Sequence, residues 1–427
     1  MEKDAEKDER EIDRLNEVNA QMLKTVLCAA KEHSVLASRD IFDQRGIKLL
    51  ARNKPVTEVV RERLLGCRLR VPLEASLRFE AGIDRARLRL AFAALLDSGH
   101  VLASLMRPWA AAVDAQIASL PLDPVAQFLL TALQTTAPRA FDHAVQAMAL
   151  AGAMAARAGD NPGELRLAMA CGLLHDIGDL YLEPDLRGDG RGADLSHYRS
   201  LVTHPHLGEL LLSGLPLYPQ LLCRAIGEHH ERLDGSGYAQ MRSGAGLSRL
   251  GRIASVVETT LGILSAPEVP LARASFALRV VPGEYEGQWV GMVASAAITG
   301  RGQHRLDDGV PVAQAWEGLA RSGRRMDRAR QQAVLLASGP ATAVRDVAQR
   351  AVHLLDRLRA GWNEMGLWVG ASARGVDAQE VRMADEELRY RLSVMERNCV
   401  WQAAGLDSAD AQRLAPLWQS LAPLSPL

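Results

Sequence analysis

The feature that most constrains this chain of 427 residues is a series of histidines and carboxylates placed at nearly even intervals. The series consists of His143, the pair His175 and Asp176, His204, the pair His229 and His230, and Glu258. Each interval is about the length of one helix and one connection, so a helical bundle can direct every member inward. Imidazole and carboxylate are ligands of Fe, Mn and Zn, and burying so many of them without a cation is costly. The spacing therefore predicts a dinuclear metal site.

The sequence around this series resembles the HD-GYP proteins, the branch of the HD phosphohydrolases that hydrolyses cyclic di-GMP. The similar stretches are "RAFDHAVQAMALA" around His143, "LLHDIGDLYL" at 173–182, "THPHLGELLL" at 203–212, "HHERLDGSGY" at 229–238 and "RIASVVE" at 252–258. A single His-Asp dipeptide carries no information, but these stretches follow the order and spacing of the family. The resemblance covers less than half of the chain.

The resemblance implies a metal-dependent phosphodiesterase that hydrolyses cyclic di-GMP or a related cyclic dinucleotide by metal-activated water. The implied cofactors are two divalent metal ions, with Fe or Mn favoured. The implied metal ligands are His143, His175, Asp176, His204, His229, His230 and Glu258. Glu258 stands where the family has an aspartate, and its longer side chain still offers an oxygen donor.

The residue after "HDIG" departs from the family, which has a lysine there to meet a substrate phosphate. In this chain it is Asp179, and we include it with His175 and Asp176 among the predicted catalytic residues. An anion beside a phosphodiester repels it, and the bare Coulomb energy at 4 Å is about 4 kcal/mol at an effective dielectric constant of 20. If this repulsion limits the reaction, replacing Asp179 with lysine is expected to raise cyclic di-GMP turnover.

The signature loop also differs, because it reads Gly237, Tyr238 and Ala239 and lacks the proline that stiffens it. The segment 266–268 supplies no cation where the family usually has a basic phosphate contact. The resemblance implies substrate-binding roles for Arg232, Asp234 and Tyr238. The residues alone leave other roles open: Arg232 as a solvated arginine, and Asp234 as part of an Asp-Gly-Ser-Gly turn.

Three functions follow from this combination of kept ligands and lost cations. The first is the phosphodiesterase described above. The second is a catalytically weak or inactive HD-GYP domain that acts as a signalling or protein-interaction module. The third is an HD phosphohydrolase that acts on a smaller or less anionic phosphoester. The aspartate at position 179 is the reason to consider this function.

Charge and composition limit the partners and the location. The formal net charge of -1 gives no electrostatic attraction for a nucleic acid polymer. The start "MEKDAEKDERE" is too charged for a signal peptide, and no apolar run approaches the length of a membrane span. The five cysteines form no C-x-x-C pair, so no disulfide framework is indicated. We expect a cytoplasmic protein without membrane insertion.

The predicted fold is mainly α: an HD-type helical bundle with a small β-containing N-terminal module and a C-terminal helical region. The predicted domains are an amphipathic helix at 1–31, an α+β leader module with helices at 32–125, the HD-GYP-like domain at 126–302 and a helical bundle region at 303–427. The amphipathic helix is either a dimer helix, which gives a homodimer, or a cap on the next domain.

Two segments provide the residue patterns on which the predictions for the leader module and the C-terminal region rest. In the leader module, "SVLASRDIFD", a turn at "QRG" and "IKLLARN" predict a β-hairpin, followed by a helix that Thr57 caps. In the C-terminal region, apolar residues three or four apart predict paired antiparallel helices. These residues are Val344, Val347, Ala351, Leu354 and Leu358, and then Val381, Ala384, Leu388, Leu392 and Met395.

Overall fold

The computed structural model describes Thr25, residues 34–182, Tyr198, and residues 201–265, 269–299, 311–340, 343–366 and 378–422. These residues form two compact units. The first unit contains the described residues up to 182, 201–232 and 237–262, and the second contains Tyr198, 233–236 and the described residues from 263 onward. The predicted N-terminal helix, apart from Thr25, and the residues around 302–310 and 266–268 lie outside the described residues.

The first unit begins with short antiparallel strands. Strand β1 (Val35–Ala37) pairs with β4 (Leu77–Phe79), and β2 (Ile41–Phe42) pairs with β3 (Lys48–Leu50). The β2–β3 pair is the predicted hairpin. The β1–β4 pair joins residues about 40 positions apart, a pairing that local alternation does not reveal. Helix α1 (Glu58–Leu65) follows the hairpin.

The start of α1 corrects one detail of the sequence analysis. Thr57 precedes the helix with an extended backbone, as a capping residue should, but its side chain accepts no hydrogen bond from the helix. The helix therefore begins at the predicted residue without the predicted side-chain cap.

Helices make up the rest of the first unit, which confirms the mainly α prediction. They are α2 (Arg85–Asp97), α3 (Val101–Met106), α4 (Ala110–Ile117), α5 (Pro124–Thr136), α6 (Pro138–Arg157), α7 (Pro162–Leu174), α8 (His204–Ser213), α9 (Gln220–Gly227) and α10 (Arg249–Ile263). Helices α6 and α7 pack closely along each other. At Gly172 in α7, a Cβ atom would overlap the backbone of Ala147 in α6, so only glycine permits this approach.

Helix α7 is bounded by features that place the His-Asp pair. It begins with a capping box, in which the Asn161 side chain accepts from the Glu164 amide while the Glu164 carboxylate accepts from the Asn161 amide. It ends at Leu174, so His175 occupies the C-cap position. A short 3-10 turn (Ile177–Tyr181) comes directly afterwards. The sequence "HDIG" thus lies where the helix stops and the chain changes direction.

The second unit is helical among its described residues. Its helices are α11 (Leu271–Arg279), α12 (Gly287–Thr299), α13 (Val312–Ala337), α14 (Ala343–Glu364), α15 (Ala378–Ala403) and α16 (Ser408–Leu421). The predicted apolar stripes of α14 and α15 face their core, with Leu355 more deeply buried than Leu354. Trp362 is fully buried in the same core. This confirms the C-terminal helical region.

No single described helix is long and apolar enough to cross a membrane. One pair, Arg85–Asp97 with Val101–Ile117, meets the length and composition criteria together but is bent by 104°.

Candidate metal centre

The first unit brings all seven predicted ligands into two adjoining groups. The first ligand group is His143, His175, Asp176 and Glu258, and the second ligand group is Asp176, His204, His229 and His230. Within each group, the candidate ligand atoms lie within 4.8 Å of one another. Helix α6 supplies His143, the end of α7 supplies the His-Asp pair, and α10 supplies Glu258. His204 is the first residue of α8, and the histidine pair follows α9.

The first ligand group is centred on one carboxylate oxygen. Glu258 Oε2 lies 3.1 Å from His143 Nε2 and 3.2 Å from His175 Nε2. The two Nε2 atoms are 3.2 Å apart. The longer side chain of Glu258 therefore still reaches the predicted ligand position.

Asp176 joins the two groups through its two oxygens. Oδ2 lies 3.2 Å from His175 Nε2 and 3.5 Å from His143 Nε2, in the first ligand group. Oδ1 lies 3.4 Å from the Nε2 atoms of both His204 and His229, in the second. One carboxylate can thus contribute an oxygen to each of two adjacent cations.

Three histidines are oriented by backbone carbonyls. The Nδ1 atoms of His175, His204 and His229 lie 2.8, 2.7 and 2.6 Å from the carbonyl oxygens of Gly172, Leu201 and Ile226. A carbonyl only accepts, so each Nδ1 carries the proton and each Nε2 of the neutral ring presents its lone pair. This is the usual arrangement by which the protein orients a metal-binding histidine.

These contacts test whether the residues fit a metal. His204 Nε2 and His229 Nε2 are 3.0 Å apart, and with both Nδ1 atoms protonated their lone pairs face each other. Two lone pairs at this distance repel unless a cation or a proton lies between them. Two nitrogens bound to one ion at about 2.1 Å are separated by about 3.0 to 3.4 Å at ordinary coordination angles. The donor set fits divalent cations.

The charge states follow from burial and from these contacts. Burial opposes a positive charge on His204, but Asp179 and Asp176 outweigh it and raise its pKa to about 9. Burial likewise opposes ionisation of Asp176 and Glu258, yet the surrounding histidines hold the pKa of each carboxyl well below its usual range. Burial and the neighbouring His229 hold the pKa of His230 well below its usual range. The site therefore contains two carboxylates poised to pair with positive charge.

Comparison with known proteins identifies the domain that carries this site. A family model described as "HD domain" matches residues 127–271. We call residues 127–271 the HD domain, after the family model that they match. HD domains bind divalent metal ions, and the two ligand groups can hold them. The predicted resemblance is therefore confirmed for this part of the chain.

Two curated relatives each match about a third of the chain. The chain is 30% identical over 154 residues to a cyclic di-GMP phosphodiesterase of Pseudomonas aeruginosa, covering 36% of this chain and 37% of that protein. It is 25% identical over 142 residues to 3′3′-cGAMP-specific phosphodiesterase 1 of Vibrio cholerae, covering 33% of each. The chain thus spans only 33% to 37% of the length of these relatives. A solved HDG"Y"P protein of Bdellovibrio bacteriovorus, Bd1817, aligns with a TM-score of 0.36 and 16% identity over 62% of this chain and 94% of its own.

Two buried glutamates of the HD domain were missed by the sequence analysis. Glu228 and Glu231 flank the histidine pair and are 1% and 0% exposed. Glu231 accepts hydrogen bonds from the amides of Gln240 and Arg242, and Glu228 accepts from Ser248. They hold in place the loop that follows the signature tripeptide. In this chain the tripeptide lacks the proline that the family has. The sequence feature that could have pointed to these glutamates is the acidic residue on each side of two adjacent histidines.

The predicted substrate residues occupy different surroundings. The ring of Tyr238 stacks on His230, with centroids 4.4 Å apart and planes inclined by 20°. Asp234 belongs to the second unit, where it accepts from Ser236 within the predicted turn and lies 3.3 Å from Arg357 Nε. Substrate binding by these two residues remains a prediction.

Arg232 lies inside the HD domain and holds several elements together. Its guanidinium donates to the carbonyl oxygens of His229 and Glu231 and to the hydroxyls of Ser255 and Thr259. These bonds tie the histidine pair to α10, the helix that carries Glu258. They support a positioning role, while the predicted substrate contact remains a prediction.

Replacing Arg232 with alanine is expected to lower the free energy of unfolding by about 2 kcal/mol, because buried acceptors lose a charged donor. Arg249→Ala is the matched control, since its ion pair with Asp160 is partly exposed and contributes less than about 1 kcal/mol. Urea denaturation measures both. An unchanged stability together with a raised KM for substrate would instead show that Arg232 meets the substrate.

Proposed function

We propose that the HD domain is a phosphodiesterase that uses two divalent metal ions, Fe or Mn, to hydrolyse cyclic di-GMP or a related cyclic dinucleotide. The observation that carries the proposal is Asp176, whose two oxygens face two adjoining sets of histidine nitrogens. The matched relatives from Pseudomonas aeruginosa and Vibrio cholerae are named as phosphodiesterases of cyclic dinucleotides, and they support this choice of substrate.

Each residue has a distinct task in this proposal. The first ligand group holds one cation and the second holds the other, with Asp176 shared between them. When bound, two such cations supply an activated water and neutralise the charge on the phosphoryl oxygens. The backbone carbonyls behind His175, His204 and His229 keep the rings turned so that Nε2 points inward. Glu258 fixes His143 and His175 through a single oxygen.

In this proposal, the signature loop controls the access of water and places the substrate. Tyr238 stacks on one face of the His230 ring, which belongs to the second ligand group. Aromatic rings offer a stacking surface to a nucleobase. Glu231 holds this loop by accepting from two of its backbone amides. We infer that Tyr238 and this loop orient the dinucleotide over the cations.

A second function, a weakly active or inactive signalling module, is favoured by one observation. Asp179 occupies the position after "HDIG", where the family has a lysine, so residue 179 supplies no cation to the substrate. A third function, hydrolysis of a smaller or less anionic phosphoester, rests on the same residue. A signalling partner, a homodimer and a cytoplasmic location remain predictions.

The test is metal content and hydrolysis measured on one anaerobically purified sample of the full chain. Elemental analysis should find two Fe or Mn ions per chain, and cyclic di-GMP or 3′3′-cGAMP should be linearised. Two ions with hydrolysis of only a simple phosphodiester, such as bis(p-nitrophenyl) phosphate, would support the third function. Two ions without any hydrolysis would support the signalling module. A sample that binds no added Fe or Mn would overturn the metal centre.

A further inference from the structure

We propose that Asp179 is a positioning residue that orients His204 for the second ligand group, and that it does not contact the substrate. The inference rests on the proposed metal centre. It assigns a role to a residue at which this chain reverses the charge that the HD-GYP resemblance leads one to expect.

The side chain of Asp179 lies behind His204, on the side away from the ligand atom. Asp179 Oδ1 is 3.4 Å from His204 Nδ1, whereas His204 Nε2 faces Asp176 and His229. The Asp179 side chain is 13% exposed and that of His204 is 2% exposed. A carboxylate in this position is largely enclosed by protein and lies on the opposite side of the imidazole ring from Nε2, the atom that would bind a cation.

The backbone of the 3-10 turn holds Asp179 in this place. The Asp179 amide donates to the carbonyl of Asp176 at 2.9 Å, and its own carbonyl accepts from Leu182 at 3.0 Å. At Gly178, a Cβ atom would overlap the carbonyl of His204 and lie 2.9 Å from the Gly208 amide. The turn is therefore pressed against the first turn of α8, and Asp179 is carried to the ring of the helix's first residue.

The start of α8 is also a favourable place for a negative charge. His204 is the first helical residue, and the unpaired amides of a helix N-terminus attract anions. Asp179 follows Gly178, which packs against this helix start, and its carboxylate lies beside the Nδ1–H edge of the His204 ring.

The contact has a chemical consequence for the cation. The Nδ1–H of His204 donates to the carbonyl of Leu201 at 2.7 Å, and Asp179 adds a full negative charge beside that bond. An outer-shell carboxylate makes the ligating nitrogen more basic and fixes the ring, and its loss typically weakens metal affinity 10- to 100-fold. Asp179 therefore strengthens the second ligand group.

This role changes the expected result of placing lysine at position 179. A cation there would lie against the N–H edge of His204 and oppose binding of a metal by the same ring. We expect Asp179→Lys to lose metal from the second ligand group and to gain no cyclic di-GMP turnover. The expectation from the sequence alone was the opposite, because it placed the side chain at the substrate.

The test is Mn²⁺ binding to the full chain by competition with a fluorescent chelator, for Asp179→Asn, Asp179→Ala and Asp179→Lys. We expect one of two Mn²⁺ ions to bind 10- to 100-fold more weakly in the asparagine and alanine variants, and to be lost in the lysine variant. The other ion should keep its wild-type affinity. Thermal unfolding of the metal-free variants checks that each is folded.

Glu74→Gln is the matched control, because Glu74 is equally buried and accepts from Tyr181 in the same 3-10 turn without touching a ligand. It should bind both ions as the wild type does. Wild-type affinity in folded Asp179→Asn and Asp179→Ala, equal losses in Glu74→Gln, or a gain of turnover with full metal content in Asp179→Lys would each overturn the positioning role. A wild-type protein that binds no Mn²⁺ would instead overturn the metal centre itself.

Discussion

Replacing both His175 and Asp176 with alanine is expected to abolish metal binding and phosphodiesterase activity together. The first residue is a donor of the first ligand group, and the second supplies an oxygen to each group. Loss of an outer-shell partner alone costs up to about 100-fold in affinity, so loss of these two ligands should cost more than that. Elemental analysis and a hydrolysis assay on one preparation measure both effects.

A surface histidine provides the control for this double variant. The side chain of His206 is 60% exposed and its nearest carboxylate, that of Glu209, is 3.9 Å away. His206→Ala should therefore keep both metals and full activity, although it lies only two residues from His204. Persistent hydrolysis in a metal-free His175→Ala, Asp176→Ala protein would show that the proposed site is not the catalytic one.

Replacing Gly172 with alanine is expected to destabilise the HD domain strongly. The new Cβ would overlap the carbonyl of Ala147 and lie 2.8 Å from the Met148 amide, both in the backbone of α6. A backbone cannot move aside as a flexible side chain can, so α6 and α7 must separate. We expect a loss of at least about 3 kcal/mol in the free energy of unfolding, at the upper end for overpacking.

The same change should weaken metal binding, because α6 carries His143 and α7 leads directly to His175. Their Nε2 atoms are 3.2 Å apart and separate with the helices. Gly163→Ala is the matched control in α7, since its nearest neighbour is the movable side-chain oxygen of Asn161 at 3.2 Å. It should change stability by less than about 1 kcal/mol. Equal unfolding midpoints for the two variants would show that the close approach of α6 and α7 at Gly172 does not limit the stability of the domain.

Several features of the HD domain follow from the sequence alone. The order and spacing of the histidines predicted that successive helices supply the ligands, and the structure brings all seven together. Glu258 was predicted as a longer oxygen ligand and reaches two histidines. These features depend on residue type and on local spacing, which are properties of the sequence.

Other features needed contacts between distant parts of the chain. The pairing of β1 with β4 joins segments on either side of the hairpin and α1. Arg232 and Glu231 follow the histidine pair in sequence, yet their partners lie on α10 and in the signature loop. No local pattern distinguishes such a half-buried arginine or a buried glutamate from a solvated one, because the distinction is made by partners elsewhere in the fold.

The sequence by itself determined which residues are the candidate metal ligands and which helices carry them, because ligand chemistry and helical spacing both follow from the order of residues. Only the tertiary structure decided which way each side chain faces. It divided the ligands into two groups that share Asp176 and turned Asp179 toward the back of His204. The physical reason is that orientation depends on close backbone approach, such as that of Gly178 to α8, which residue order does not reveal.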